Sequence, residues 1–275
     1  MPELKTLGPV EQLSPAVRLA LSCSVHSRLT GEGALVYRLR PMDRRNFIGS
    51  CTAGAACISA TAALPAFGAD ARPRHYARAL LGDERGDRLK ASSLRPLTNY
   101  VFHYPYVATP VFLLDLERPA LPQSLSTKAR DTYAWPGGVG PHRSLVAFSA
   151  ICAHQLVYPT PQVSFISFRR TRASRGLQDG LIHCCAEHSQ YDPSRGAQVL
   201  AGPAEQPLCA VLLEHDPNDD SLTAYGTLGG ELFDDFFRKY EMKLSLDLGA
   251  KAKNPVADRT TVQLLDRFCR NPIQC

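Results

Sequence analysis

Two short stretches constrain this chain more than anything else in it. The first reads ICAHQL and holds Cys152 and His154. The second, IHCCAEHSQYDPSRGAQVLAGP, runs from Ile182 to Pro203 and holds Cys184, Cys185 and His188. If the fold brings the two together, soft sulfurs and imidazoles meet at one point, and such donors suit zinc or an iron–sulfur cluster. A structural zinc site pairs like with like, C-x2–4-C followed by H-x3–5-H. Here each stretch carries one of each. The first is C-x-H. The second is C-x-x-H when Cys185 supplies the sulfur, which is the preferred reading; Cys184 is the alternative.

Composition narrows the setting. Of 275 residues, 44% are hydrophobic and 21% charged, as in an ordinary globular protein. The net charge of +5 is only mildly basic, which argues against a nucleic-acid partner. There is no internal repeat and no heptad pattern. Nine cysteines are many for the length but fall short of a disulfide scaffold.

The N-terminal part reads as a targeting segment. Around Met42 the chain runs MDRRNFIGSCTAGAACISATAALPAFGADARPR. Arg44 and Arg45 precede Phe47, Ile48 and an uncharged run rich in Ala, Gly and Ser that ends near Ala69. This resembles a twin-arginine export signal, spanning 42–71, with ADA at 69–71 suited to a signal peptidase. A buried Ala-rich helix is the competing reading, disfavoured because so much Gly and Thr makes a poor helix. At about 20 residues, 46–69 is also long enough to anchor the chain in a membrane uncleaved. Residues 1–41 fit awkwardly ahead of such a signal and are expected to be an upstream leader. Outside the cytoplasm disulfides persist, and pairing of Cys269 with Cys275 is expected near the end of the chain.

Downstream, residues 72–95 are polar and basic and read as a tether. From Tyr100 the chain becomes aromatic, β-branched and broken by prolines, the pattern of short strands. Ser144–Ser149 is predicted as a strand feeding the first Cys–His stretch, VSFISF (163–168) as another, and LIHCC as the strand entering the second. AQVLAG, LCAVLLEHD and SLTAYGTL follow as further strands. Between them, RRTRASRGLQDG (169–180) is a basic loop. Closely spaced strands with Gly and Pro between them predict an all-β sandwich or barrel. In ELFDDFFRKYEMKL, Leu232, Phe233, Phe236, Phe237 and Tyr240 recur at helical spacing, which predicts one amphipathic helix. The segment 231–275 is thus a helix and a polar tail.

The paired stretches, with Tyr191-Asp192-Pro193 and Gly202-Pro203-Ala204 after them, resemble the Rieske iron–sulfur proteins. The export signal resembles that of their periplasmic electron-transfer branch. The similarity implies a Rieske-type antiparallel β-sandwich over 96–230, its cluster-binding part at about 145–208, and one [2Fe–2S] cluster per chain. It implies that Cys152 and Cys185 bind the buried iron and His154 and His188 the outer one. Ser189 and Tyr191 would donate hydrogen bonds that tune the cluster, and Gly202 and Pro203 would form the loop covering it. Ser189 follows His188 directly, one residue earlier than in the respiratory members. The second cysteine that respiratory members carry in each loop has Val157 and Glu187 in its place here.

The resemblance implies a one-electron carrier on the periplasmic side of the cytoplasmic membrane. It would take electrons from quinol or a partner oxidoreductase and pass them to a cytochrome. The iron–sulfur subunit of a quinol–cytochrome c reductase is the first expectation; the small subunit of a molybdenum oxidase such as arsenite oxidase is the alternative. A ferredoxin serving an oxygenase conflicts with the export signal. A Rieske oxygenase needs a second iron site with two histidines, and after Leu208 only His215 remains.

Overall fold

The computed structural model describes residues 71–170 and 180–275. The expected leader, the export segment up to residue 70 and residues 171–179 of the basic loop lie outside them. Among the described residues no helix is long and apolar enough to cross a membrane.

The described part is mostly β. Strands β1 (Arg74–Gly82), β2 (Tyr100–His103), β3 (Pro110–Asp115), β6 (Leu145–Ser149), β11 (Ala210–Asp216), β12 (Ser221–Leu228), β13 (Asp258–Thr261) and β14 (Gln263–Leu264) form one sheet, ordered β13-β1-β12-β11-β6-β3-β2-β14. A second sheet is ordered β10-β9-β8-β7, from β7 (Ile166–Arg169), β8 (Leu181–Cys184), β9 (Gln190–Asp192) and β10 (Gln198–Ala201). A hairpin of β4 (Gln123–Ser126) and β5 (Thr132–Trp135) stands apart.

Period-two alternation separates two cores. In β3, Val111 and Leu113 enter a core shared with Leu81, Phe102, Leu213 and Leu222. Phe112 and Leu114, between them, enter a second core with Phe148, Trp135, Ile166, Phe168, Ile182 and Tyr191. This second core joins the two sheets, and Cys152 and Cys184 belong to it.

Two segments differ from expectation. Residues 72–95 do not form a loose tether. Within them β1 pairs antiparallel with β12 and parallel with β13, and Ala79 and Leu81 are wholly buried. The apolar residues there are few, but Ala79, Leu81, Leu89, Ala91 and Leu94 are buried and join the first of these cores. The C-terminal segment is likewise built into the fold. The expected single helix is two, α1 (Phe233–Lys239) and α2 (Glu241–Leu248), separated at Tyr240, whose φ of −108° and ψ of 17° are not helical. The chain then returns to the large sheet as β13 and β14. β14 pairs with β2 at one edge and β13 with β1 at the other, so the tail bridges both edges of that sheet. Thr260 in β13 also donates to the His103 carbonyl in β2 at 2.9 Å. A short helix, α3 (Leu265–Phe268), leads into the last residues.

Candidate metal centre

The two cysteine stretches meet at the end of the second core. β6 delivers Ile151 and Cys152 into the first loop, and β8 ends at Cys184 and opens the second. On β8, Ile182 and Cys184 share the face that packs into the core, and both are fully buried. Cys184 therefore faces Cys152, and each thiol is the largest influence on the other's ionisation. Cys185, next in the chain, is carried away from this meeting point.

The loops match position by position once Cys184 is set against Cys152. The Cys152 N–H donates to the Val157 carbonyl at 2.8 Å, and the Cys184 N–H donates to the Ser189 carbonyl at 2.9 Å, five residues on in each case. The backbone of His154 and Gln155 favours the ionised Cys152 sulfur, and that of Ala186 and Glu187 the ionised Cys184 sulfur. The fourth residue after each cysteine, Leu156 in one loop and His188 in the other, is left-handed, with φ of 57° and 59°. Non-glycine residues in that region are uncommon and gather at functional sites. Each loop thus presents its sulfur in a small nest of backbone N–H groups.

The electrostatics follow from this. The Cys184 side chain is the main influence drawing the Cys152 thiol down to about 6; burial opposes it, and Tyr191 and the two backbone N–H groups add to it. Cys184 moves the other way, because the Cys152 side chain and burial both oppose a second negative charge beside the first. The Tyr191 hydroxyl lies 3.2 Å from Cys152 Sγ and 3.1 Å from the Ala153 nitrogen. Tyr191 is fully buried, and burial, followed by the adjacent sulfur, raises its pKa so that the phenol keeps its proton.

The other expected site residues fall into place around this pair. His154 is partly buried, and its Nδ1 has no hydrogen-bond partner among the described residues; the Ser189 hydroxyl, also buried, has none either. His188 and Glu187 are exposed at the loop tip. Gly202 lies against the second loop: a Cβ on it would come within 2.5 Å of the Ser189 Cα and 2.7 Å of the His188 carbonyl oxygen, and its φ is +88°. Pro203, beside it, is exposed. Among the described residues, no three of His, Cys, Asp and Glu lie close enough to hold a single metal ion.

Two expectations need correction. Cys269 does not pair with Cys275: it is a fully buried thiol at the end of α3, its N–H bound to the Leu265 carbonyl at 2.8 Å. Beyond it the tail runs beside 161–164, through bonds from Arg270 to Pro161, Ser164 to Asn271 and Ile273 to Ser164. That path carries Cys275 to Cys185, with which it forms a disulfide closing a separation of 90 residues. Cys185 is therefore not the sulfur that faces Cys152; its sulfur is already bonded. Arg169 secures the same corner, with its Nη2 donating to the Ile273 carbonyl and lying 3.3 Å from Cys185 Sγ.

The C-terminal segment also supports the first loop. Lys239 Nζ on α1 donates to the Gln155 carbonyl at 2.7 Å. Leu156 and Tyr158 pack with Phe233, Phe236 and Phe237, and the Tyr158 ring meets Phe236 edge-on at 4.9 Å. Sequence reading did not give these roles to α1 or to Arg169. The phenylalanine spacing of α1 was its only trace in the sequence, and such spacing does not say which surface a helix covers.

No family model matches the chain. Among solved structures, the soluble domain of the Rieske protein II (soxF) from Sulfolobus acidocaldarius is similar, with 26% sequence identity and a TM-score of 0.42. The match covers 55% of this chain and 78% of that one.

Proposed function

We propose that the two loops hold a [2Fe–2S] cluster and that the protein is a one-electron carrier. The observation that carries this reading is the matched pair of sulfur loops. Cys152 and Cys184 converge at a buried point, each in its own nest of N–H groups, and one of them is poised to ionise. The nearby polar atoms fit such a group: the buried Nδ1 of His154 has no protein partner and is available as a ring-nitrogen donor, and the partnerless Ser189 hydroxyl is available to donate to a sulfur. In this reading Cys152 and Cys184 hold one iron and His154 the other.

The fourth donor belongs to the pair Glu187–His188. With Cys184 as the second sulfur, the spacing to His188 becomes C-x-x-x-H and Glu187 takes the C-x-x position. An imidazole there keeps the cluster less negative and its potential high, whereas a carboxylate adds a negative charge and lowers it. The cluster, when bound, supplies reversible one-electron chemistry. The protein does the rest. Tyr191 donates to the Cys152 sulfur, which favours the more negative, reduced form. The backbone nests do the same at both sulfurs. The core behind Cys152 and Cys184 excludes water from the sulfur side. The exposed tip at 186–188 leaves the histidine side open to a redox partner.

The partners that suit this arrangement are a quinol or an oxidoreductase subunit as donor and a cytochrome as acceptor. A quinol–cytochrome c reductase is the first choice of complex and a molybdenum oxidase the second. Export by the twin-arginine route to the periplasmic side of the membrane, with 46–69 as signal or anchor, rests on the sequence pattern of residues 42–71.

The test is reconstitution of the full chain with iron and sulfide, followed by electron paramagnetic resonance of the reduced protein. Two irons and two sulfides per chain are expected, with the lowered average g of a histidine-ligated cluster. Cys152→Ser and Cys184→Ser should each abolish the signal, while Cys185→Ser keeps it. Of His188→Ala and Glu187→Ala, the one that loses or reshapes the signal names the fourth donor. Stoichiometric zinc without iron, or a signal that survives Cys184→Ser, would sink the reading.

A further inference from the structure

A cleft of about 340 Å³ lies at the open edge of the second sheet, between the 95–99 segment, β7 and the C-terminal tail. Arg95, Arg169 and Arg170 line it, with Gln274 at the tail and Asp266 the one carboxylate in the lining. Three guanidinium groups against one carboxylate leave the lining two charges positive. No ion pair of Arg95, Arg169 or Arg170 is found among the described residues. Arg169 is partly buried, and its Nε is buried with no hydrogen-bond partner among the described residues. Burial depresses the pKa of this guanidinium, as expected for a cation short of a counter-charge.

The walls are held in place before any ligand arrives. The Asn99 side chain donates to the Phe168 carbonyl at 2.9 Å and accepts from the Phe168 N–H at 2.7 Å, which fixes the 95–99 segment to β7. The Leu265 N–H donates to the Asn99 carbonyl at 3.0 Å, and Arg169 donates to the Ile273 carbonyl, so the tail is fixed to the same wall. Guanidinium groups recognise oxyanions through paired, planar N–H bonds, and a pre-set cluster of them loses little entropy on binding.

We propose that this cleft binds a small multivalent oxyanion with the chemistry of phosphate. The ligand sits between Arg95 and Arg170 and supplies the counter-charge that Arg169 lacks. Bound there, it ties β7 and the tail together directly behind the Cys185–Cys275 disulfide. The inference is independent of the cluster and is tested without it.

The experiment titrates the full-length, metal-free protein with inorganic phosphate by calorimetry, with sodium chloride adjusted to keep ionic strength constant, and follows the unfolding midpoint alongside. Saturable binding and a rise in midpoint are expected with phosphate but not with chloride. Arg95→Ala/Arg170→Ala removes two exposed side chains, so its midpoint without phosphate should match the parent, while its phosphate affinity falls at least tenfold. Asp266→Asn removes the one opposing charge and should tighten binding severalfold. Equal responses to phosphate and chloride, or parental affinity in both variants, would overturn the proposal.

Discussion

Replacing Cys275 with serine tests how the second loop is held. The disulfide to Cys185 closes a 90-residue separation. In the chain-entropy picture, denying that cross-link to the unfolded ensemble changes stability by about 4.6 kcal/mol at 25 °C. The native tail keeps its other bonds, Arg270 to Pro161 and Ile273 to Ser164, so native packing survives in part. The expected loss is therefore about 2–4 kcal/mol, the usual range for a native disulfide. The assay is urea unfolding of the full chain, as isolated and after reduction with a dithiol. Cys275→Ser should lower the midpoint, and reduction should bring the parent down to the variant while leaving the variant unmoved. Cys269→Ala should cost only about 1 kcal/mol as a small buried truncation, with the response to reduction intact. The reasoning fails if Cys275→Ser unfolds at the parental midpoint, or if peptide mapping finds Cys275 joined to Cys269.

Three further outcomes follow from the geometry. Gly202→Ala places a methyl group against the Ser189 backbone at a φ of +88°; it should cost about 1–3 kcal/mol in a urea melt and reduce iron retained on reconstitution. Tyr191→Phe leaves the Ala153 N–H without its partner and removes the donor to Cys152 Sγ. A loss of about 1–3 kcal/mol is expected in the same melt, and in the reconstituted protein a potential lowered by tens of millivolts in voltammetry. His103 packs edge-on to Phe268 at 5.7 Å, and burial holds its pKa at about 4. The unfolded chain takes up that proton near pH 6.5 and the folded chain only near 4, so the group costs nothing above about 6.5. Stability should then fall as pH drops from there to about 4, by up to about 3 kcal/mol, and His103→Gln should flatten that slope in melts across the range.

What the sequence determined by itself was local and chemical. Short apolar runs in PVFLLD and LVAFS, and the β-branched, turn-bounded SLTAYGTL, dictated strands, because a pleated chain sends successive residues to opposite faces and such runs can bury both. The two cysteine–histidine stretches pointed to a candidate site, because such donors at such spacing have little reason to occur together otherwise. Even the identity of the inward sulfur was latent in the text: Ile182 and Cys184 lie two apart on a strand, so they share a face and Cys185 does not. The C-x-x-H spacing pointed to Cys185 instead, and that local preference gave way to the core, where Cys184 is fully buried beside Cys152.

Only the tertiary structure decided how the loops are held. Nothing local in residues 231–275 says that α1 supports Gln155 and Leu156, that 258–264 joins the two edges of the large sheet, or that the final cysteine reaches back to residue 185. Those contacts span from about 80 to 180 residues of sequence. The choice of a distant partner depends on which surfaces remain uncovered after the sheets have formed. A polar tail carries almost no periodicity to advertise that choice, and so its role becomes visible only in the assembled chain.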